Sequence, residues 1–350
     1  MRTRTSFIPA LAAGSVAVLA LAACSANAAA PSSSGGAPAE LDTVTVQLDF
    51  QPRGLHSTMF VTDEKGFFAE EGIEIEQILP GTSSGDTLRL VGSGQGDFGM
   101  ADLPTLVVAQ SQEIPVQAIG AVNQTSPLAM CTLADEHTLE SPADLEGLTV
   151  GVQASGSTYV FYKALLATNG VDASALTELT VQPPYEQYLL TGQVDTVPCY
   201  VDAEITILEE HAGGEGSLSV LRGPEWGYDA YGTGVFTSDR MIAEDPELVQ
   251  RFMNAYVKGL QYVIDNPREA AEILAASAPD RAQNVDLYER QIQADIEETF
   301  TSVDGAGLAG MTDDTWAAMV EMLAAQGVIE TSPAVEDLAD ASFVTQANEQ

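Results

Sequence analysis

Short apolar runs alternate with segments of helical character along residues 44–236. Residues 44–50, 73–79, 96–101 and 116–122 read as strands, with helical stretches between them such as residues 103–111. Strand, helix, strand in succession forms a parallel unit that must cover both faces of a sheet. The alternation therefore predicts an α/β fold.

A second α/β set follows the first, and the chain then becomes mainly helical. The strand at 128–133 is expected to leave the first lobe, and the segments at 220–222 and 232–236 are expected to return to it. Further strands are predicted at 148–152, 179–182 and 195–200, and helices at 159–169, 185–191, 247–265, 267–276, 286–300 and 313–326. This pattern predicts two lobes joined by two crossing strands, with residues 42–130 plus 232–350 in lobe 1, residues 131–231 in lobe 2, and a helical C-terminal region.

The N-terminus has the order of an export signal. Arg2 and Arg4 precede an apolar run at residues 7–23, which ends in two alanines followed by Cys24. The small-small-Cys ending resembles the lipobox of bacterial lipoproteins, in which the cysteine is acylated. We expect a signal peptide at 1–23, a lipid anchor at Cys24 and a flexible linker at 24–41, which holds the protein on the extracytoplasmic face of the cell membrane.

The acidic balance of the chain excludes one class of partner. The formal net charge is −38, from 51 Asp plus Glu against 13 Lys plus Arg. A chain of this charge repels phosphate backbones, so we expect no nucleic-acid partner.

Cysteine and histidine are too scarce and too scattered for a metal centre. Cys131 and Cys199 are 68 residues apart, and a disulfide and two buried free thiols are both compatible with the sequence. His56, His137 and His211 are isolated from one another. We therefore predict no metal site.

Several motifs together carry a resemblance to one family. They are the runs LDFQP at 48–52 with His56, EKGFFAEEG at 64–72, VGSGQGDFG at 91–99, SPADLEGL at 141–148, EDPELVQRF at 244–252, and Asn266-Pro267 with Ala270. In this order and spacing the chain resembles the ABC-transporter solute-binding proteins that serve thiamine-pyrimidine precursors, riboflavin, sulfonates and nitrate.

The resemblance implies a fold and a role. It implies a two-lobed, periplasmic-binding-protein-like clamshell of type II that closes on a small-molecule solute and presents it to a membrane permease. It further implies a monomeric receptor without a cofactor and without catalytic residues.

Candidate ligand-binding residues follow from position, because ligands in open α/β lobes meet the carboxyl ends of strands and the starts of helices. They are Asp49, Phe50, Gln51, His56, Thr82, Ser83, Asp102, Asn123, Ser155, Ser157, Thr158, Tyr185, Tyr200, Asp202, Trp226 and Tyr228. The set is rich in aromatic rings, hydroxyls and carboxylates, and only Arg53 and Arg222 lie close enough to add a cation. This composition favours a planar, neutral or weakly basic heterocycle, such as a thiamine pyrimidine precursor or a riboflavin-like ring, stacked between aromatics while an Asp or Glu accepts from its N–H groups.

Two alternatives remain open from the sequence. A receptor for sulfonate, nitrate or taurine shares the fold, but its anion is expected to rest on Arg, Lys or backbone N–H groups. Cytoplasmic relatives on this fold synthesise the thiamine pyrimidine with a lysine, a histidine four residues later and a cysteine-rich cluster. This chain has Ala101, Thr105 and the run GTGVF at 232–236 in the corresponding places, which argues against the enzyme.

Overall fold

In the part of the chain that the structure describes, the strands form three sheets. The computed structural model describes residues 41–154, 156–182, 184–300 and 305–350. Within these ranges the strands are β1 (Asp42–Gln47), β2 (Ile73–Leu79), β3 (Phe98–Asp102), β4 (Val116–Ala121), β5 (Leu128–Leu133), β6 (Thr149–Val152), β7 (Thr177–Thr180), β8 (Val197–Tyr200), β9 (Leu218–Arg222) and β10 (Thr233–Ser238).

Helices connect most of these strands and make up the C-terminal third. The α-helices are α1 (Ser57–Glu64), α2 (Phe67–Glu70), α3 (Ser84–Gly92), α4 (Leu103–Ser111), α5 (Ser157–Thr168), α6 (Glu186–Leu190), α7 (Glu204–Ala212), α8 (Asp239–Glu244), α9 (Pro246–Asp265), α10 (Pro267–Ala276), α11 (Val285–Glu298), α12 (Asp313–Ala325), α13 (Val335–Leu338) and α14 (Ser342–Ala347). Short 3₁₀ helices lie at Gly54–His56, Pro142–Leu145, Ala173–Ala175, Pro224–Trp226 and Pro279–Arg281. None of the helices in the described ranges is both long and apolar enough to cross a membrane.

The largest sheet has five strands in the order β2-β1-β3-β10-β4. Strand β1 runs parallel to β2 and β3, whereas β10 runs antiparallel to β3 and β4. The three parallel strands are linked through helices, as the alternation in the sequence predicted. The predicted α/β class is therefore confirmed.

Two smaller sheets lie in the middle of the sequence. Strands β8, β5 and β9 form an antiparallel sheet, and β6 and β7 form a parallel pair. We call residues 42–121 and 233–350 the large half and residues 128–222 the small half. Residues 122–127 and 223–232 are the two crossing segments between them. The segment at 220–222, which we expected in the return crossing, is part of β9 and pairs with β5.

The core of the large half is built around aromatic stacking. The ring of Phe98 on β3 stacks on Phe252 of α9 with centroids 3.8 Å apart, and Phe68 packs on the same ring at 5.0 Å. Helix α9 buries an apolar face that includes Phe252 and Tyr256. Burial of this face holds the C-terminal helices against the sheet.

A close backbone approach aligns the loops that follow β1 and β2. A Cβ atom on Gly81 would lie 2.1 Å from the carbonyl oxygen of Leu48 and 2.6 Å from the carbonyl carbon of Asp49. Only glycine fits at this distance. The backbone N–H of Gly81 also donates to the carbonyl of Phe50 at 3.1 Å, so the two loops form one edge of the cleft described below.

A disulfide joins two neighbouring strands of the small half. Cys131 on β5 and Cys199 on β8 are bonded, with their Cα atoms 6.0 Å apart, a separation that suits a disulfide. Both residues are buried among apolar side chains that include Val197 and Leu208. Of the two alternatives left open by the sequence, the structure contains the disulfide.

Reduction of this disulfide should destabilise the protein. The bond closes a loop with a sequence separation of 68 residues, and cross-links of this kind typically contribute about 2–4 kcal/mol to the free energy of unfolding. We expect dithiothreitol to lower the midpoint of guanidinium unfolding, measured by circular dichroism. The matched control is the double variant Cys131→Ala/Cys199→Ala, whose midpoint should not respond to the reductant. An equal response in both proteins would contradict this assignment.

Candidate ligand-binding site

A cavity lies between the large half and the small half, at the carboxyl ends of β1, β2, β6 and β8. Its volume is only about 30 Å³. Its wall consists of Asp49, Phe50, Arg53, Thr82, Ser83, Ser84, Gln153, Gly156, Ser157, Thr158, Tyr185, Tyr200 and Glu204. The wall therefore consists mainly of aromatic rings, hydroxyl groups and charged groups of both signs.

The loop after β1 contributes a closed set of polar contacts. The ring of His56 lies 2.7 Å from the Asp49 carboxylate through Nε2, and the backbone N–H of Arg53 donates to His56 Nδ1 at 3.1 Å. Because Nδ1 is the acceptor of a backbone N–H, Nε2 carries the proton and donates to Asp49. The guanidinium of Arg53 lies 3.5 Å from the other carboxylate oxygen. We call these three residues the Asp49 cluster.

Burial and charge oppose each other in the pKa values of the Asp49 cluster. Burial acts to raise the pKa of Asp49, but the guanidinium of Arg53 and the hydrogen bond from His56 outweigh it and lower the pKa to about 2. For His56, burial is the larger effect and lowers the pKa. The cluster is therefore one carboxylate, one neutral imidazole and one guanidinium.

Arg53 is the cation of the cavity. It is 7% exposed, and its guanidinium lies over the ring of Tyr200, 4.8 Å from the ring centroid. Burial acts to lower the pKa of Arg53, but the carboxylates of Asp49 and Asp202 raise it above its ordinary value. Its Nε and Nη2 atoms have no hydrogen-bond partner among the described residues.

The small half contributes a second hydrogen-bonded group around Glu204. Tyr185 donates its hydroxyl to one oxygen of Glu204 at 2.8 Å, and the backbone N–H of Tyr200 donates to the other at 2.8 Å. The hydroxyl of Tyr200 is in turn hydrogen-bonded to Ser157 at the start of α5. Burial raises the pKa of Glu204 to about 7.

The loop after β2 completes the wall from the large half. Ser83 caps α3 by accepting from the backbone N–H of Asp86 at 3.2 Å, and the hydroxyls of Thr82 and Ser83 both donate to the Asp86 carboxylate. Across the cleft, the side-chain amide of Gln153 donates to the carbonyl of Thr82 at 3.5 Å. This contact and the stacking of Arg53 on Tyr200 link the two halves.

Two buried carboxyls lie behind the cavity. Asp202, which follows β8, faces Asp295 of α11, and burial together with this neighbour raises the pKa of Asp295 well above its ordinary value. Burial also raises the pKa of Asp202, against the lowering effect of Arg53. Asn123 donates to Asp295 at 2.9 Å and to Thr299 at 2.6 Å. This group joins a crossing segment, the small half and α11.

Asp102 lies at the end of β3 and serves as the N-cap of α4. Its carboxylate accepts from the backbone N–H of Thr105 at 2.9 Å and from the Thr105 hydroxyl at 2.6 Å. Burial raises the pKa of Asp102 to about 7, despite these two hydrogen bonds.

The structure brings half of the predicted site residues to the cavity wall. These are Asp49, Phe50, Thr82, Ser83, Ser157, Thr158, Tyr185 and Tyr200. Ser155 and the predicted lipidation site Cys24 lie outside the described residues.

The other predicted residues lie elsewhere in the described structure. His56, Asp102, Asn123 and Asp202 are buried behind the wall, where they bond to or face other protein groups. Gln51 is exposed and donates to the carbonyl of Gly81 at 3.3 Å. Trp226 and Tyr228 lie in the second crossing segment, and the Tyr228 ring packs edge-on against Phe161 with centroids 5.0 Å apart.

The predicted set lacks four polar residues of the wall, which are Arg53, Ser84, Gln153 and Glu204; Ser84 directly follows the predicted Ser83. Arg53 follows the first strand by a few residues, and its position predicts only a cation near the site. Glu204 begins α7, a helix that the hydrophobic pattern did not reveal, and Gln153 follows β6 directly. The strand-end rule that found Asp49 also applies to Gln153. Among the described residues, no group of three metal-binding side chains is arranged to hold an ion.

Replacement of Glu204 by glutamine should flatten the dependence of stability on pH. Because burial raises the folded-state pKa of Glu204 from 4.5 to about 7, the folded state holds a proton that the unfolded state releases. Stability is therefore greatest below the unfolded pKa and falls as pH rises through about 7, by on the order of 3 kcal/mol for this group. Urea unfolding at pH values from about 5 to 9 should show a smaller fall for Glu204→Gln than for the unsubstituted protein.

The control for this experiment is Glu225→Gln, which removes a carboxylate from an exposed side chain. Its stability profile should follow that of the unsubstituted protein. Profiles of equal slope for both variants would show that Glu204 holds no such proton.

Three known proteins are similar in sequence to this chain over much of its length. A formylaminopyrimidine-binding protein of Halalkalibacterium halodurans is 27% identical over 92% of this chain and 95% of its own length. The riboflavin-binding protein RibY of Chloroflexus aurantiacus is 24% identical over 95% of this chain and 96% of its own. A 4-amino-5-hydroxymethyl-2-methylpyrimidine phosphate synthase of Legionella pneumophila is 25% identical over 67% of this chain and 74% of its own.

Solved structures share the fold. The alkanesulfonate-binding protein SsuA from Xanthomonas axonopodis, bound to MOPS, superposes with a TM-score of 0.67 at 16% identity, covering 87% of this chain and 99% of that one. The chain therefore has the two-lobed periplasmic-binding-protein fold that we expected. Residues 54–270 match the NMT1/THI5-like family model. With most of its length inside that match, the chain belongs to the NMT1/THI5-like family.

Proposed function

We propose that this protein is the extracytoplasmic solute-binding receptor of an ABC importer and that it binds a small planar heterocycle of the pyrimidine-precursor or riboflavin class. The observation that carries the proposal is the cavity between the two halves, where rings of Phe50, Tyr185 and Tyr200 are combined with hydroxyls and a charge-balanced Asp49–Arg53 pair. Relatives that bind a formylaminopyrimidine and riboflavin support this class.

Binding requires the halves to separate. A volume of about 30 Å³ holds about one or two water molecules, whereas small-molecule sites typically measure about 300–1,000 Å³. The crossing segments 122–127 and 223–232 are the only chain connections between the halves among the described residues. We propose that they act as the hinge between the large half and the small half, which take the place of the predicted lobe 1, residues 42–130 plus 232–350, and lobe 2, residues 131–231, with residues 128–130 moved to the small half because they pair with β8 and β9.

The charge balance of the cavity disfavours small anions. A sulfonate or nitrate ion would have to compete with Asp49 for Arg53, and Glu204 adds a second acidic group to the wall. A neutral ring avoids this repulsion and gains contact with the aromatic side chains. A sulfonate, nitrate or taurine receptor is therefore the less favoured alternative.

We further propose that the protein is not an enzyme. The synthase relatives are similar over a smaller share of the chain than the two binding proteins. Ala101 and Thr105 stand where a synthase is expected to have a lysine and a histidine. Thr105 donates from its backbone and its hydroxyl to Asp102, the N-cap of α4. The run at 232–236, where a synthase is expected to have cysteines, contains none.

The location that we propose follows from the N-terminus. Acylation of Cys24 would anchor the protein to the cell membrane, and the linker at 24–41 would let it reach a permease. The protein would work as a monomer without a cofactor.

Ligand binding should raise the melting temperature of the protein. A ligand that binds only the folded state stabilises it by about 2.7 kcal/mol at a concentration 100 times its Kd. We expect formylaminopyrimidine or riboflavin to shift the melting temperature upward in a thermal-shift assay, and taurine and nitrate to leave it unchanged.

Matched variants connect this shift to the cavity. Tyr185→Phe removes only the hydroxyl that donates to Glu204, and Tyr185→Ala also removes the ring. The Ala variant should lose most of the ligand-induced shift, whereas the Phe variant should keep a larger part of it. Stabilisation by the anions alone would overturn the heterocycle proposal, and turnover of any of these compounds would favour an enzyme.

Replacement of Cys24 should release the protein from the membrane. In the native host, the unsubstituted protein should incorporate labelled palmitate and sediment with membranes, because its acyl chains partition into the bilayer. Cys24→Ser should do neither, and Cys131→Ser/Cys199→Ser should behave like the unsubstituted protein in both measurements. Palmitate labelling of the Cys24→Ser protein would contradict the proposed anchor.

A further inference from the structure

Arg53 is a buried cation whose hydrogen-bonding capacity is unused. Its side chain lines the cavity and is 9% exposed, and none of the described residues accepts a hydrogen bond from its guanidinium within normal distance. A guanidinium has five N–H donors, and buried donors left without an acceptor cost free energy. In a protein that closes on a solute, an acceptor on that solute removes this cost.

The carboxylate oxygens of the cavity, in contrast, mostly accept hydrogen bonds from the protein. Both oxygens of Glu204 accept hydrogen bonds, from Tyr185 and from the backbone of Tyr200. One oxygen of Asp49 accepts from His56, and the other faces Arg53 at 3.5 Å. Three of the four carboxylate oxygens of the wall accept hydrogen bonds from the protein, whereas the guanidinium of Arg53 donates none to the described residues.

We infer that Arg53 is a specificity-determining residue of the proposed receptor: it donates to an acceptor on the solute, which is therefore a planar heterocycle bearing a carbonyl oxygen. The inference rests on the proposed function and deepens it. It also differs from the sequence-based expectation that a carboxylate of the protein accepts from N–H groups of the ligand.

The surroundings of Arg53 favour a neutral acceptor. Asp49 already balances its charge, and Asp202 and Glu204 add acidic groups close by. A carbonyl oxygen of an amide, a formyl group or an imide ring can accept from a guanidinium without bringing in a charge. An anionic oxygen would bring a net negative charge toward these three carboxyls.

Arg53 is also held in position for this role. Its backbone donates to His56 and its guanidinium lies beside Asp49, and both contacts lie within the large half, so they persist when the halves separate. The side chain thus loses little additional conformational freedom when a ligand binds, which favours affinity and strict geometry.

A matched pair of ligands and three variants test the inference. The ligands are formylaminopyrimidine and the corresponding aminopyrimidine that lacks the formyl carbonyl, with affinities measured by isothermal titration calorimetry on the purified protein. Arg53→Lys keeps the positive charge beside Asp49 but loses the planar fork, and Arg53→Met removes all donors. Arg222→Met is the control, since Arg222 lies outside the cavity and pairs with Glu298.

We expect the unsubstituted protein and Arg222→Met to prefer the formyl compound. In Arg53→Met the affinity for that compound should fall by about 10- to 100-fold, with a much smaller fall for the compound without the carbonyl. The affinity of Arg53→Lys for the formyl compound should lie between those of the unsubstituted protein and Arg53→Met. The melting temperature of Arg53→Lys without ligand shows whether loss of the planar guanidinium alone affects folding.

Two results would overturn different statements. The inference about Arg53 is wrong if both Arg53 variants keep the preference of the unsubstituted protein for the formyl compound. It is also wrong if the unsubstituted protein prefers the compound without the carbonyl. In either case Arg53 does not donate to the solute carbonyl, and the proposed receptor function is unaffected. If the unsubstituted protein binds neither compound nor riboflavin, the proposed heterocycle class itself is wrong, and the role of Arg53 falls with it.

Discussion

The buried carboxylate of Asp49 is the constraint on which the cleft depends. An unpaired carboxylate in this position would be very costly, and it is tolerated because His56 and Arg53 approach it from the same loop. The contact also fixes the loop itself, since the backbone of Arg53 donates to His56. Removal of any one member would leave another buried polar group without its partner.

The loop in turn depends on packing at both of its ends. Gly81 lets the loop after β2 lie against Leu48 and Asp49, where a side chain has no room. On the other side, Gly54 lies against α11, where a Cβ atom would be 2.5 Å from that of Gln291, and its N–H donates to the Gln291 side chain at 2.9 Å. Two glycines therefore permit the close approach that positions the Asp49 cluster.

The sequence predicted the regular elements best where a hydrophobic pattern is bounded by clear breaks. The ranges 73–79, 103–111, 128–133 and 267–276 agree with β2, α4, β5 and α10 residue for residue. It failed at β7, expected at 179–182 and found at Thr177–Thr180, because all four residues of this strand are exposed and provide no alternation of burial. It also did not reveal α7, in which Glu204 and Leu208 are the only buried residues.

The sequence predicted at which strand ends the candidate site lies, but not which side chains there face the cavity. The rule that ligands meet the ends of strands places Asp49, Ser83 and Tyr200 at the cleft, and it places Asp102 and Asn123 there equally well. Whether such a residue faces the cavity or bonds to a helix behind it depends on side-chain partners distant in sequence, such as Asp295 for Asn123. The role of Arg53 was not predictable, because the sequence does not show which of its N–H groups lack an acceptor in the folded protein.

The small volume of the cavity has a consequence for affinity. The halves meet through side chains of the protein itself, including Arg53 on Tyr200 and Gln153 on the loop of Thr82. A solute therefore binds only the fraction of molecules that are open, and the apparent dissociation constant is the intrinsic one divided by that fraction. A substitution that weakens a contact across the cleft increases this fraction, so it can strengthen binding although it adds nothing to the contacts with the solute.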